Sequence, residues 1–221
     1  MKTESEAAVE KYFGAHGILI EKIAEGAAKS PDYRATIGGL EIIFEVKQFN
    51  ATQEEEKQLG ELAEGKALVL DHGPGKGVRK KISDGASQLS TLAKRRCPAV
   101  LILFNNRPFL LGNPASPYDV RVGMYGFETM VLIKPQGGNE LAVRDRKFGG
   151  GRKLTEQHNT SMSGIAVMEP RGEEMSLWLY HNEHAAMPLP RGMFANFGVK
   201  EFALGSREAG KFQEWVAVDG S

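Results

Sequence analysis

Apolar and polar positions alternate between Tyr33 and Phe44, and a Gly38-Gly39 pair divides the run into two halves. Alternation of period two predicts half-buried strands, and a diglycine between them predicts a tight hairpin because both residues accept positive φ. With that turn Ile37 faces Leu40 and Asp32 faces Glu45. Tyr33, Ala35 and Ile37 then share one side with Phe44, Ile42 and Leu40. The other side carries Asp32, Arg34, Thr36, Glu41, Ile43, Glu45 and Lys47. A slip of one residue would mix the two sets, so the pattern itself selects the register.

The same reading gives the rest of the chain. A short helix is expected within residues 5–17 and a strand within 18–26. An acidic, exposed helix follows over 53–64. Val78, Ile82, Ala86, Leu89 and Ala93 recur at helical spacing and predict a helix over about 77–96 with one buried face. Residues 99–104 are continuously apolar, as in the centre of a sheet. Beyond residue 105 Pro108, Pro114 and Pro117 punctuate a loop. Apolar segments follow at 121–135, 163–170 and 175–182, the last two joined by Arg-Gly-Glu-Glu as a hairpin. The second half is therefore expected to be β-rich, either adding to the sheet or covering the active face. Two domains are expected, a core over 1–105 and an extension over 106–221 packed on it.

Composition narrows the classes. The 221 residues carry no net charge, which argues against strong non-specific adhesion to nucleic acid. Basic residues nevertheless concentrate in 76–96 and 144–153, and such stretches can follow a phosphate backbone locally. Lys94, Arg95 and Arg96 also suit the C-terminal end of a helix. The longest apolar run, 98–104, is far short of the roughly 20 residues of a membrane span. The first residues lack the apolar stretch of a signal peptide, and Cys97 has no cysteine partner, so a cytoplasmic protein is expected. The Gly-rich stretch at 72–77 lacks P-loop spacing. His181, Glu183 and His184 lack a third metal ligand at a recognised spacing. His158, Ser161 and Ser163 lie on no nucleophile elbow. Trp178 and Trp215 read as core anchors.

The hairpin carries the chemistry. Opposed Cβ atoms in an antiparallel pair lie about 5 Å apart, and like charges there destabilise the ladder. Lys47 follows Glu45 on the same face, roughly 7 Å along the strand. Two facing acids can hold a hard divalent cation, share a proton, or form a solvated face neutralised by Arg34 and Lys47.

Pro31-Asp32, a short hairpin and Glu45-Val46-Lys47 together resemble the PD-(D/E)xK nuclease superfamily, the restriction-endonuclease-like phosphodiesterases. The resemblance covers roughly residues 4–105. It extends to the order of expected elements, an αβββαβ core, and is nearest to the Holliday-junction-resolvase and VRR-nuclease branches. It implies an α/β fold with a mixed central sheet and a β-rich C-terminal extension. It also implies metal-dependent hydrolysis of DNA, with RNA and a homodimer left open and no membrane partner. Asp32, Glu45 and the Val46 carbonyl would hold Mg²⁺, for which Mn²⁺ substitutes. Lys47 would orient or deprotonate the attacking water and stabilise charge on phosphorus. Glu10, with Glu6 as second choice, would complete the site from the first helix. Gln88, Lys81 and Gln48 would contact substrate. One departure is Leu92, which stands where some relatives carry tyrosine after Gln88. Strict alternation also turns Gln48 away from Lys47.

Two other classes compete. A silent binding module of the same fold would be expected to have lost one of Asp32, Glu45 and Lys47. A retaining glycosidase also uses carboxyl groups about 5 Å apart, but a lysine beside them and no nearby aromatic cluster favour phosphate over sugar.

Overall fold

The computed structural model describes residues 2–24, 30–67, 73–93, 97–136, 140–172 and 174–218. The expected Lys94, Arg95 and Arg96, and His72 of the glycine-rich stretch, lie outside the described residues. The fold is mixed α/β, with four α-helices among the described residues and one large mixed sheet.

Helix α1 (Glu4–Ala15) starts at a capping box. The Thr3 hydroxyl accepts from the Glu6 N–H, and the Glu6 carboxylate accepts from the Thr3 N–H at 2.7 Å. Strands β1 (Ile20–Lys22), β2 (Tyr33–Ile37) and β3 (Leu40–Phe49) follow. A second capping box, Thr52 with Glu55, opens α2 (Gln53–Ala63), which buries no side chain, as the acidic pattern predicts. Helix α3 (Lys76–Ala93) leads to β4 (Ala99–Asn105). Residues 4–105 thus run αβββααβ, with α2 added to the expected order.

The second half holds α4 (Pro117–Tyr125), β5 (Glu128–Ile133), β6 (Ala142–Phe148), β7 (Gly164–Arg171), β8 (Glu174–His181), β9 (Lys200–Leu204) and β10 (Trp215–Ala217). The apolar stretch at 121–135 is therefore helix first and strand afterwards. Ser116 caps α4 by accepting from the Asp119 N–H at 3.2 Å, and Pro117 supplies the fixed φ of the first turn. The β7–β8 hairpin forms as expected, with Arg171 opposite Glu174.

The sheet order is β1-β2-β3-β4-β7-β8-β9-β10, and β5 pairs with β6 in a separate two-stranded sheet. β3, β4 and β7 are parallel, while β2 and β3 are antiparallel. β7 bonds directly to β4, so strands from both halves of the chain form one sheet. Each face has its own core. Val9, Tyr12 and Phe13 of α1 pack on Phe44, Val46 and Ile102. Val78, Ile82 and Leu89 of α3 pack on Ile43, Leu101 and Leu103 of the opposite face, with Val120 and Met124 of α4 beside them.

Candidate active site

Gly38 and Gly39 both take positive φ, +58° and +81°, so the hairpin closes through the diglycine. Ile37 pairs with Leu40, Ala35 with Ile42 and Tyr33 with Phe44, which is the register read from the alternation. The ladder stops one pair short of the expected Asp32–Glu45 opposition. The Asp32 N–H instead donates to the Phe44 carbonyl at 3.1 Å, and Asp32 Oδ2 accepts from the Val46 N–H at 2.7 Å. The aspartate therefore leans along β3 across the glutamate. A strand residue turns its N–H and C=O to the same neighbour, so the Val46 carbonyl opens toward Asp32 as well.

Glu45 is 0 % exposed. It lies beneath α3, where Gly85 makes room: a Cβ at that position would sit 3.5 Å from Glu45 Cγ and 2.8 Å from Leu101 Cδ1. Helical spacing alone put Ala86 on this face; it is only half-buried, and Gly85 is the fully buried neighbour. Among the described residues no backbone N–H reaches either Glu45 carboxylate oxygen, and Lys47 is the side-chain donor that approaches. Lys47 Nζ stands 2.5 Å from Glu45 Oε1 as an ion pair, while its directed hydrogen bond goes to Gln88 Oε1 at 2.8 Å. Gln88 in turn donates to the Ser30 carbonyl at 3.3 Å, tying α3 to the segment before Asp32.

The electrostatics follow from this geometry. Burial pushes the Glu45 carboxyl up to about 7; the neighbouring Asp32 charge adds to the rise and Lys47 opposes it. Burial raises Asp32 too, against the Val46 N–H and the Lys47 charge, which lower it. The two acids thus approach closely enough for each to alter the other's proton affinity. Lys81 belongs to the same group. Its Nζ lies 5.5 Å from the centre of the Phe49 ring, and burial pushes the ammonium down, with Asp84 opposing and Lys80 and Lys47 adding to the effect.

Two expected residues stand apart. Glu10 accepts from the Tyr33 hydroxyl at 2.9 Å and pairs with Lys2, on the α1 face of the sheet rather than the Glu45 face. Glu6 is the helix acid whose charge acts on Asp32, raising its proton affinity. It is already engaged, with Lys22 Nζ at 2.6 Å and the Thr3 N–H. The Thr-x-x-Glu capping spacing was the signal for this second role. Gln48 donates to Asn50 Oδ1 at 2.6 Å and makes no described hydrogen bond to Asp32, Glu45 or Lys47.

Other candidates resolve into structure. His181 Nε2 lies 2.8 Å from Glu201 Oε2, and both residues are buried. The buried Ser163 hydroxyl donates to the Met187 carbonyl and accepts from the Ala99 N–H, so it is engaged in holding the backbone. Trp178 and Trp215 pack against the α3-side core. No helix among the described residues is long and apolar enough to cross a membrane. The chain matches no family model, no curated protein and no solved structure.

Proposed function

We propose that the protein is a metal-dependent nuclease of the PD-(D/E)xK type, with a restriction-endonuclease-like core and DNA phosphodiester bonds as substrate. One observation carries the reading. A fully buried glutamate, which among the described residues meets no donor other than the Lys47 ammonium, lies beside a second carboxylate.

The donor set fits a hard divalent cation. Asp32 and Glu45 act on each other's proton affinity, and the Val46 carbonyl opens to the Asp32 side of β3. Glu45 has only the Lys47 ammonium where a carboxylate buried for structure alone would have several donors. No three His, Cys, Asp or Glu residues among those described cluster around one point. Two carboxylates suffice for Mg²⁺, which keeps several waters and accepts substrate phosphate oxygens. When bound, the cation supplies Lewis acidity toward the phosphodiester.

The protein's own groups complete the chemistry. Lys47, steadied by Gln88, favours the ionised form of Glu45 and places positive charge where negative charge grows on the phosphoryl oxygens. Lys81 extends that positive surface from α3. Asp32 is half-buried and the Lys47 side chain 23 % exposed, so substrate approaches from their side while α3 excludes water behind Glu45.

A plasmid-nicking assay tests the reading. Nicking with Mg²⁺ or Mn²⁺ that EDTA abolishes is expected. Absence of cleavage on supercoiled, linear, branched and single-stranded DNA alike would remove it in favour of a silent binding module.

A further inference from the structure

A second set of charged side chains converges around a cavity of about 200 Å³ that neither Asp32 nor Glu45 lines. Three separate segments supply its cations. Strand β6 contributes Arg146 and Lys147, the loop after it Arg152, and the C-terminal segment Arg207 and Phe212. Four cations thus meet a single lining carboxylate, Glu183, which lies 3.4 Å from His184 Nε2.

Two of these cations, Arg146 and Arg152, are held in place without acids among the described residues. Among the described residues Arg146, Lys147 and Arg152 form no ion pair. Arg152 donates to the backbone carbonyls of Phe148 and Gly149, the latter at 2.9 Å. The Arg146 guanidinium lies 5.6 Å from the centre of the Phe212 ring, and its Nε is buried without a hydrogen-bond partner. Arg207 pairs with Asp145 at 2.9 and 3.1 Å, and the Lys147 charge also acts on that carboxylate. The loop itself is pinned at Gly126, whose φ is +97° and where a Cβ would strike the Gly150 carbonyl at 2.7 Å and Arg152 Cγ at 2.9 Å. Arg146 and Arg152, fixed in advance and without an acidic partner among the described residues, favour an anion at little ordering cost.

The remaining wall is aromatic. Tyr125 and Phe148 stack with ring centres 5.7 Å apart, and Phe212 stands across from Arg146. Flat apolar rings beside guanidinium groups suit a planar heterocycle that carries a phosphate. We propose that this cavity binds a nucleotide through its phosphate, either as a free mononucleotide or as the phosphorylated end of a strand. The site stands independently of cleavage at Asp32 and Glu45.

The test is equilibrium binding in EDTA, where cleavage cannot contribute. Probes are a 5′-phosphorylated dinucleotide, its unphosphorylated counterpart, AMP and inorganic phosphate. The phosphorylated dinucleotide should bind at least about tenfold more tightly than the unphosphorylated one. The Arg146→Gln/Lys147→Gln double variant should lose about tenfold with an unchanged melting temperature, and Asp32→Asn should lose nothing. Competition by AMP identifies a free nucleotide as the ligand, and competition by the phosphorylated dinucleotide alone identifies a strand end. Equal affinity for the two dinucleotides, undiminished binding in the double variant, or inorganic phosphate binding as tightly as either nucleotide would overturn the assignment. Loss of cleavage with this binding intact would count only against the nuclease reading.

Discussion

Two glutamates in this protein are buried to nearly the same degree, and their surroundings are opposite. Glu201 is 4 % exposed and accepts three hydrogen bonds, from the Gly192 N–H at 3.0 Å, the Phe194 N–H at 2.7 Å and His181 Nε2 at 2.8 Å. Glu45 is 0 % exposed and has no backbone donor among the described residues; the Lys47 ammonium stands against one oxygen and the Asp32 carboxyl lies nearby. Burial of a carboxylate is costly unless its oxygens are satisfied. Glu201 meets that requirement from its own chain and fastens the 192–194 segment to β9. Glu45 does not, and its unmet demand is what a cation would answer. Satisfaction, rather than burial, separates a structural acid from one available for chemistry.

The largest effect should fall on turnover. Asp32→Asn and Glu45→Gln should each lower Mg²⁺-dependent cleavage by about a thousandfold or more while the circular dichroism spectrum stays native, because each removes a carboxylate that would hold the cation. Undiminished nicking by either variant would take that residue out of the mechanism. Glu201→Ala should show the reverse pattern. Two backbone N–H groups and a histidine lose their acceptor, so unfolding free energy should drop by about 3 kcal/mol in a denaturant titration. Cleavage by the fraction still folded should be normal.

A smaller, signed effect concerns pH. The Glu45 carboxyl is raised from its ordinary value of 4.5 to about 7, so the folded chain holds a proton that the unfolded chain has already released. Its contribution to stability is therefore fully present below about pH 4.5 and is lost as pH rises to about 7. Glutamine mimics the protonated acid. In EDTA, melting of wild type and Glu45→Gln should agree near pH 4.5, and the wild type should fall behind as pH approaches 8. Parallel curves across that range would mean that Glu45 is not held in the protonated form by its surroundings. Glu201 is the control for this experiment, since its replacement should lower melting at every pH.

Much of this contrast was legible in the chain. Alternation around Gly38-Gly39 specified the β2–β3 register, and the spacing of Val78, Ile82 and Leu89 specified which side of α3 meets the sheet. Those signals are local, and local periodicity is what a sequence displays directly. The Asp32–Val46 hydrogen bond was not visible, because it depends on the ladder ending one residue early. Nor was the division of labour on α1. Glu6 and Glu10 lie one turn apart, and only the packed helix shows that Glu10 turns to the Tyr33 hydroxyl while Glu6 influences Asp32. Helix α4 was legible in principle from Ser116-Pro117 with Asp119, but the apolar run after it reads equally as strand. The four-cation cavity joins residues from 146 to 207, and no pattern in the sequence links them.

Calorimetric titration of Mn²⁺ at pH 8 tests the contrast between the two glutamates most directly, since it needs no substrate. Wild type and Glu201→Gln should bind saturably, and Asp32→Asn and Glu45→Gln should lose binding. Binding that survives both of those substitutions, or no binding by the wild type, would contradict that contrast.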